Sequence, residues 1–368
     1  MTATALRVAL VGPYPPPHGG ISVHVAGLYR RLVESGGRCR VLDTGGHREP
    51  DAKVATRDGQ GGGKFALLSQ LGTLARHGWP VHVHTNGHNR RSWLLVLACG
   101  RAARRAPARI VTLHSGMLPD YLASGEVGAR ALARIALAPY ERVVCVSAAV
   151  RDAVAELDLP PSRLVVAPAA LPVGFSPAAV PDAWCDWMAA HRPLAASALF
   201  FRPEYGFDLL VELVARLAPR HPGFGCVVMG GGDGGREAAA AVRERGLERH
   251  FLFTGDVEHE LCLTLMARAD VFVRPARADG DAVSVREALA LGVPVVASDA
   301  AVRPAGVVRF AKGDAGALAE TVEAVLCLPE MPVTRSREGD GAFERLMETY
   351  RALCAEKEGA WPRRSWAS

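Results

Sequence analysis

Apolar and polar positions along the 368-residue chain fall into a repeated alternation. "LRVALVG" (6–12) is a short apolar, β-branched run that ends in Gly-Pro. Such a run predicts a strand buried on both faces of a parallel sheet. "ISVHVAGLYRRLVESG" (21–36) follows with helical period and closes on Gly36 and Gly37. The pattern then repeats through "RCRVLDTG", "PVHVHTNG", "ARIVTLHSG" and "RVVCVSAAVRDAV", with "SWLLVLACGRAARR" as an intervening helix. Alternating strands and helices predict an α/β domain around a parallel sheet. Residues 44–63, rich in glycine and charge, predict a mobile loop.

The alternation breaks over residues 168–196, which carry several prolines and two tryptophans. A domain boundary is expected there. It resumes with "SALFFRP", "FDLLVELVARLA", "GCVVMGGG", "REAAAAVRERG", "HFLFTG", "ELCLTLMARA", "DVFVRP", "SVREALALG" and "PVVASD", then a late helix "DAGALAETVEAVLC". "PEMPVTRSREGDG" reads as a linker and "FERLMETYRALCAEK" as a last amphipathic helix. The expected organisation is two doubly wound, Rossmann-like α/β domains, 1–175 and 190–330, with a helix at 341–356. Open sheets of this kind bind ligands at the carboxyl ends of their strands. Two of them facing across a cleft hold two substrates.

Composition narrows the class. Nearly half of the residues are apolar, so a sizeable core is expected and wholesale disorder is not. Eight cysteines are scattered, with no CxxC pair and no zinc spacing, which predicts buried, reduced thiols in a cytosolic protein. No apolar run approaches the roughly 20 residues of a spanning helix. The apolar start is short, meets Pro13 at once and shows no small-residue cleavage site, so it reads as a strand rather than a signal peptide. Net charge is +5 but uneven: residues 1–175 hold 21 Lys+Arg against 11 Asp+Glu, the rest 22 against 27. The basic half suits an anionic lipid surface or an anionic substrate, or serves solubility alone. Dispersed arginines and few aromatics argue against nucleic acid.

Three loops carry candidate chemistry. "GPYPPPHGGISVHV" (12–25) places Gly19 and Gly20 between a strand and a helix start, a cradle for an anion or simply a tight turn. "TLHSG" puts His114 just past a buried strand. "VVMGGGDGG" (227–235) ends a strand in three glycines but lacks the Lys-Ser of a phosphate-binding P-loop.

The most informative stretch is "DGDAVSVREALALGVPVVASD" (279–299), with Asp279, Asp281 and Glu287 beside an apolar helix. Ser284 and Glu287 have the S-x-x-E spacing of a capping box. Capping leaves two further acids unexplained. A polyhydroxy ligand accounts for them, because carboxylates accept paired hydrogen bonds from vicinal hydroxyls while helix-start N–H groups hold phosphate.

Asp279, seven intervening residues and Glu287, followed by "ALALGVPVVASD", together with "FTGDV" (253–257), "ADVFVRP" and the glycines at 19–20, resemble the retaining GT-B glycosyltransferases of family four. The resemblance runs over about residues 6–356. It implies that Glu287 holds the ribose of a nucleotide sugar and that Asp279 contacts the donor sugar's hydroxyls. Backbone N–H groups of Asp281, Ala282, Val283 and Ser284 face the sugar and diphosphate, and Gly20 lies near the distal phosphate. His114 sits by the sugar or acceptor, the base lies near Gly255 to Val257, and the last helix returns to the first domain. No metal and no cofactor is implied.

The chain departs from the family in one segment. Where many members carry an arginine and a lysine that clamp the diphosphate, "LFFRPEYGFD" has Phe200 and Tyr205, with Arg202 the nearest cation. The first acid is aspartate rather than the commoner glutamate. The expected activity is transfer of a sugar, hexosyl in type, from a nucleotide-diphosphate donor to an acceptor hydroxyl with retention. The acceptor is expected on a lipid phosphate carrier at the inner membrane face in bacterial surface polysaccharide or glycoconjugate assembly, or as a soluble metabolite. A non-catalytic nucleotide-sugar-binding subunit and a sugar epimerase of the same fold are the alternatives. A glycosidase is disfavoured, because it needs two carboxylates across the scissile bond.

Overall fold

The structure, a computed structural model, describes residues 6–45, 63–168, 175–232, 234–328 and 338–358. Most of the expected loop at 44–63, Asp233 of the glycine run and most of the expected linker at 329–341 lie outside the described residues. The chain divides into two compact units. One holds the chain up to Tyr14, Val25–Pro168 and the chain from Asp340; the other holds Pro15–His24 and Ala169–Gly339.

The first unit is built on β1 (Arg7–Gly12), α1 (Gly20–Glu34), β2 (Arg38–Asp43), α2 (Gly63–Arg76), β3 (Val81–Thr85), α3 (Arg90–Ala102), β4 (Arg109–Leu113), α4 (Leu118–Ala123), α5 (Ala129–Leu137), β5 (Arg142–Cys145), α6 (Ala148–Ala155) and β6 (Leu164–Val166). Its first helical turn, up to His24, is grouped with the other unit. The six strands form one parallel sheet in the order β2-β1-β3-β4-β5-β6. Burial on both faces is why β1 reads as an apolar run, whereas β3, equally buried, carries His82 and His84. Trp93 of α3 and Tyr140 are fully buried, and the Tyr140 hydroxyl donates to the Val96 carbonyl at 2.7 Å. At Gly100 of α3 a Cβ would meet Pro139 at 2.9 Å, so glycine is what lets α3 lie close to the end of α5.

The second unit follows with α7 (Asp182–Ala190), β7 (Leu194–Ala198), α8 (Phe207–Leu217), β8 (Gly225–Met229), α9 (Gly235–Glu244), β9 (Phe251–Gly255), α10 (His259–Ala267), β10 (Val271–Arg274), α11 (Val283–Leu291), β11 (Val295–Ser298), β12 (Val307–Phe310) and α12 (Ala315–Leu326). Its sheet is also parallel, in the order β12-β11-β10-β7-β8-β9. Side chains alternate between its faces. Val271, Val273, Val228 and Val296 meet α8 and α12, while Phe272, Val227 and Val295 meet α10 and α11. Helices on both faces make the sheet doubly wound. The last helix, α13 (Glu338–Glu358), brings fully buried Tyr350 to His82 of β3, hydroxyl to Nδ1 at 2.5 Å.

The α/β class and two parallel sheets agree with the periodicity. Helices α2, α4, α5 and α7 and strands β6 and β12 come in addition. The strands have three and four residues, too short for a period to show, and α7 lies inside the Pro- and Trp-rich stretch. Among the described residues no helix is long and apolar enough to cross a membrane. Burial pushes the thiols of Cys99, Cys145 and Cys226 up to about 12, so they are poor nucleophiles.

Gly206 opens α8 with φ +71°, and a Cβ there would stand 2.1 Å from the Pro275 carbonyl oxygen. Gly206→Ala is expected to destabilise the second unit by about 3 kcal/mol, from left-handed strain plus overpacking. Urea denaturation of both forms measures it.

Candidate active site

The acidic stretch lies at the carboxyl end of the second sheet, between β10 and α11. Asp279 is the centre of a buried ion cluster. Arg274, the last residue of β10, donates to it through Nε and Nη2, each at 3.0 Å, and Arg303 through Nη1 at 2.8 Å. The carboxylate is 7 % exposed and the Arg303 side chain 2 %. Both guanidiniums reach further. Arg274 Nη1 donates to the Ala198 carbonyl at the end of β7 (2.9 Å), and Arg303 Nε to the Ser298 carbonyl at the end of β11 (2.9 Å). One carboxylate thus ties together the ends of three neighbouring strands. Burial alone would raise its pKa. The two arginines overcome that and hold the carboxyl below the ordinary aspartate value, while Arg274 is raised, its burial penalty outweighed by Asp279 and Tyr205.

Asp281 is spent in a similar way. Arg286, in the second turn of α11, donates to it through Nε at 2.6 Å, with both side chains buried. Glu287, 6 % exposed, meets His259 at the start of α10, Nε2 to Oε1 at 2.6 Å. The expected capping box does not form. Ala282 is the N-cap of α11, with no side-chain cap, and Ser284 already lies inside the helix, two residues too late to cap it. The helix start at Val283 therefore carries no side-chain acceptor from its cap residue.

Phe200 and Tyr205 stand where the resemblance expects cations, and cations are stacked on both. The Arg202 guanidinium lies 5.6 Å from the Phe200 ring centroid, and that of Arg274 4.9 Å from Tyr205. The two rings meet edge to face at 6.0 Å. Arg202 is exposed, whereas Arg274 is buried. Arg277 fastens the acidic loop to the same segment, pairing with Asp208 at 2.6 Å and donating its backbone N–H to the Glu204 carbonyl at 2.8 Å.

The glycine loop at 15–20 belongs to the same unit. Its His18 N–H donates to Asp256 Oδ1 at 3.0 Å, and the His18 ring lies 3.4 Å from Asp256 and 3.3 Å from Glu258. Gly19 is a packing requirement, because a Cβ would strike the Phe200 ring at 2.7 Å. Gly20 is not, because a Cβ there meets nothing. Gly255 (φ +71°) and Asp256 are exposed and Val257 half-buried, beside the start of α10. The Cys262 thiol is pushed up by burial first and then by Glu287 and Asp256, which places these two carboxylates in one neighbourhood.

His114 lies in the first unit, past the end of β4. Its N–H donates to the Thr85 carbonyl (2.9 Å), and its Nε2 is 3.1 Å from His84 Nδ1. His82, two residues before His84 on β3, binds Thr112 Oγ1 at 2.7 Å, and its ring lies 4.1 Å from that of His84, tilted by 37°.

The structure therefore brings Asp279, Asp281, Ala282, Val283, Ser284, Glu287, Gly255, Val257, Arg202 and Gly20 into one unit and His114 into the other. Sequence reasoning missed Arg274, Arg303, Arg286, His259 and His84. Only His84 had a visible signal, the two-residue spacing in "VHVHT" that puts His82 and His84 on one sheet face.

The glycine loop and the acidic helix start thus lie in the second unit, with the acidic stretch at the carboxyl edge of a doubly wound sheet, where such sheets bind ligands. The model of the group 1 glycosyl transferases matches residues 191–338, and that of glycosyltransferase family 4 matches residues 18–173. The chain belongs to this family and is a glycosyltransferase of GT-B fold. It is 24 % identical over 338 residues to the gpi3 subunit of phosphatidylinositol N-acetylglucosaminyltransferase from Schizosaccharomyces pombe, covering 85 % of this chain and 71 % of that one. Among solved structures, sucrose-phosphate synthase from Thermosynechococcus elongatus superposes with a TM-score of 0.72 at 19 % identity, over 95 % of this chain and all of that one. Anabaena HepE in complex with UDP-glucose gives 0.65 at 15 % identity, over 96 % and 99 %.

Asp279→Asn would leave two buried guanidiniums facing each other. It is expected to destabilise the second unit by about 3–5 kcal/mol at neutral pH. Because the carboxyl's pKa is depressed on folding, its contribution is complete above the ordinary aspartate pKa and is lost as pH falls through the lowered one. The gap between wild type and variant should therefore narrow in acid, as denaturation at several pH values will measure.

Proposed function

We propose that the chain moves a sugar from a nucleotide-diphosphate donor to an acceptor hydroxyl with retention, at the surface of an anionic membrane. The observation that carries the donor reading is Glu287, a buried carboxylate one turn inside a helix whose start has no side-chain cap. A carboxylate there accepts from the two ribose hydroxyls, and the free helix start takes the diphosphate. Gly20, whose lack of a side chain no packing explains, admits the distal phosphate to the backbone. Gly255 to Val257 flank the base. Asp279 shapes the loop whose backbone N–H groups, Asp281 to Ser284, meet the sugar. His114 serves the sugar or acceptor.

In this mechanism the carbon–oxygen bond to the diphosphate breaks first and leaves an oxocarbenium-like sugar. The acceptor hydroxyl attacks on the same face, and its proton passes to the departing phosphate oxygen. No enzymatic nucleophile takes part. Charge developing on the diphosphate is met by the helix start and by Arg202. HepE in complex with UDP-glucose supports the donor class, and a relative named for phosphatidylinositol supports a lipid-linked acceptor. The excess of basic residues over 1–175 supports a location on the inner membrane face in surface glycoconjugate assembly.

Donor hydrolysis tests the reading without an acceptor. The purified chain, given UDP-, GDP-, dTDP- and ADP-sugars in turn, is expected to bind and slowly hydrolyse one class. Glu287→Gln is expected to weaken that donor on the order of tenfold to a hundredfold, the worth of a hydrogen bond to a charged group. A stable chain that ignores every donor contradicts the proposal.

A further inference from the structure

His259 is a buried histidine that the proposed transfer does not use. It is the first residue of α10, and the turn of Asp256, Val257 and Glu258 leads to it from Gly255 at the end of β9. It therefore follows directly on the residues that the proposed function sets beside the base. Helices α10 and α11 cover the same face of the second sheet, where Leu265 and Met266 share one core with Val285, Ala288 and Leu289. That packing sets the first residue of α10 against the second turn of α11. His259 Nε2 comes to 2.6 Å from Glu287 Oε1, with both residues buried.

The acids of the 279–287 stretch differ in what they meet. Asp279 accepts from the guanidiniums of Arg274 and Arg303, and Asp281 from that of Arg286. Arg286 adjoins Glu287 in sequence and is turned to Asp281 instead. Glu287 is met by an imidazole. The difference is chemical. A guanidinium fork engages both oxygens of a carboxylate, as Arg274 does at Asp279. A ring nitrogen engages one. An ionised carboxylate only accepts, so the His259 Nε2–H is the donor, and it takes one of about four lone-pair sites. Glu287 thus keeps acceptor capacity on a side chain that is anchored at Oε1. An unanchored glutamate would have to be ordered each time a nucleoside bound, at a cost in affinity. Anchored, its carboxylate meets a pair of vicinal hydroxyls in one orientation, and a 2′-deoxyribose offers only one of that pair.

We propose that His259 is a positioning residue for Glu287 and, through it, makes the site prefer a ribonucleoside diphosphate to its 2′-deoxy counterpart. This rests on the ribose role given to Glu287 above, and it disfavours dTDP-sugars as donors. Calorimetric titration of the full chain with UDP, GDP and ADP, and with dUDP, dGDP and dADP, measures the preference for each base. The variants are His259→Phe, which keeps a ring and removes the donor, His259→Gln, whose amide restores an N–H donor, and Glu287→Gln. Wild type is expected to bind one ribonucleotide on the order of tenfold more tightly than its 2′-deoxy form. In His259→Phe that ratio should fall toward parity, through weaker binding of the ribonucleotide, and His259→Gln should recover most of it. A role in packing alone would weaken both forms alike, so an unchanged ratio in His259→Phe overturns the proposal. If Glu287→Gln loses the ratio while His259→Phe keeps it, the positioning role fails and the ribose reading stands. If Glu287→Gln binds every diphosphate as wild type does, or wild type binds none of them or shows no preference, the ribose reading falls and the positioning role with it. A measurement on wild type covers a His259→Phe chain that does not fold. The ring ¹⁵N signal of His259 Nε2 should move further on saturation with the ribonucleotide than with its deoxy form, and equal movement counts against the proposal.

Discussion

The second unit depends on one carboxylate. Asp279 holds Arg274 and Arg303, and through them the ends of β7, β10 and β11. Taking three charges out of water is costly, and the cost is offset only because nearly every donor finds an acceptor. Ala198 and Ser298 lend their carbonyls, and the Tyr205 ring covers Arg274. Remove the carboxylate and two buried cations are left to repel. The loop from Pro275 to Ala282 is therefore a braced structure, tied at Asp279, at Arg277 and at Asp281.

That bracing changes what the acids do. A surface carboxylate contacts a sugar hydroxyl at little cost to itself. Asp279 is already saturated by two guanidiniums, so under the proposed function its share is to set the course of the backbone around residues 281–284. Glu287 differs: it pairs with His259 of α10, and the proposed function gives it the ribose. The aromatic pair at Phe200 and Tyr205 fits the same account. Each ring carries an arginine on its face, one exposed and one buried. The segment has kept positive charge near the strand ends while moving it off the two positions that usually bear it.

Much of the fold was legible because parallel sheets announce themselves. Strands buried on both faces are mostly apolar, with β3 and its two histidines the exception, and helices covering them show a period. The acid-x₇-Glu spacing was legible because it resembles the motif of a known family. What stayed hidden was pairing at a distance. Arg303 meets Asp279 across 24 positions and Glu287 meets His259 across 28, and no local period reports such contacts. Ser284 misled for the same reason. The S-x-x-E spacing was present, but α11 begins at Val283, before the serine, so the motif fell out of register with the cap.

The most direct test of the account is a double-mutant cycle on stability with Asp279→Asn, Arg303→Met and the pair together. If Asp279 is the hub of the strand ends, the two changes must not add. A coupling energy on the order of 2 kcal/mol or more is predicted, since the arginine costs least to lose once its counter-charge is gone. Additivity to within about 0.5 kcal/mol would mean that the two groups act independently, and the loop would have to owe its shape to something other than this ion cluster.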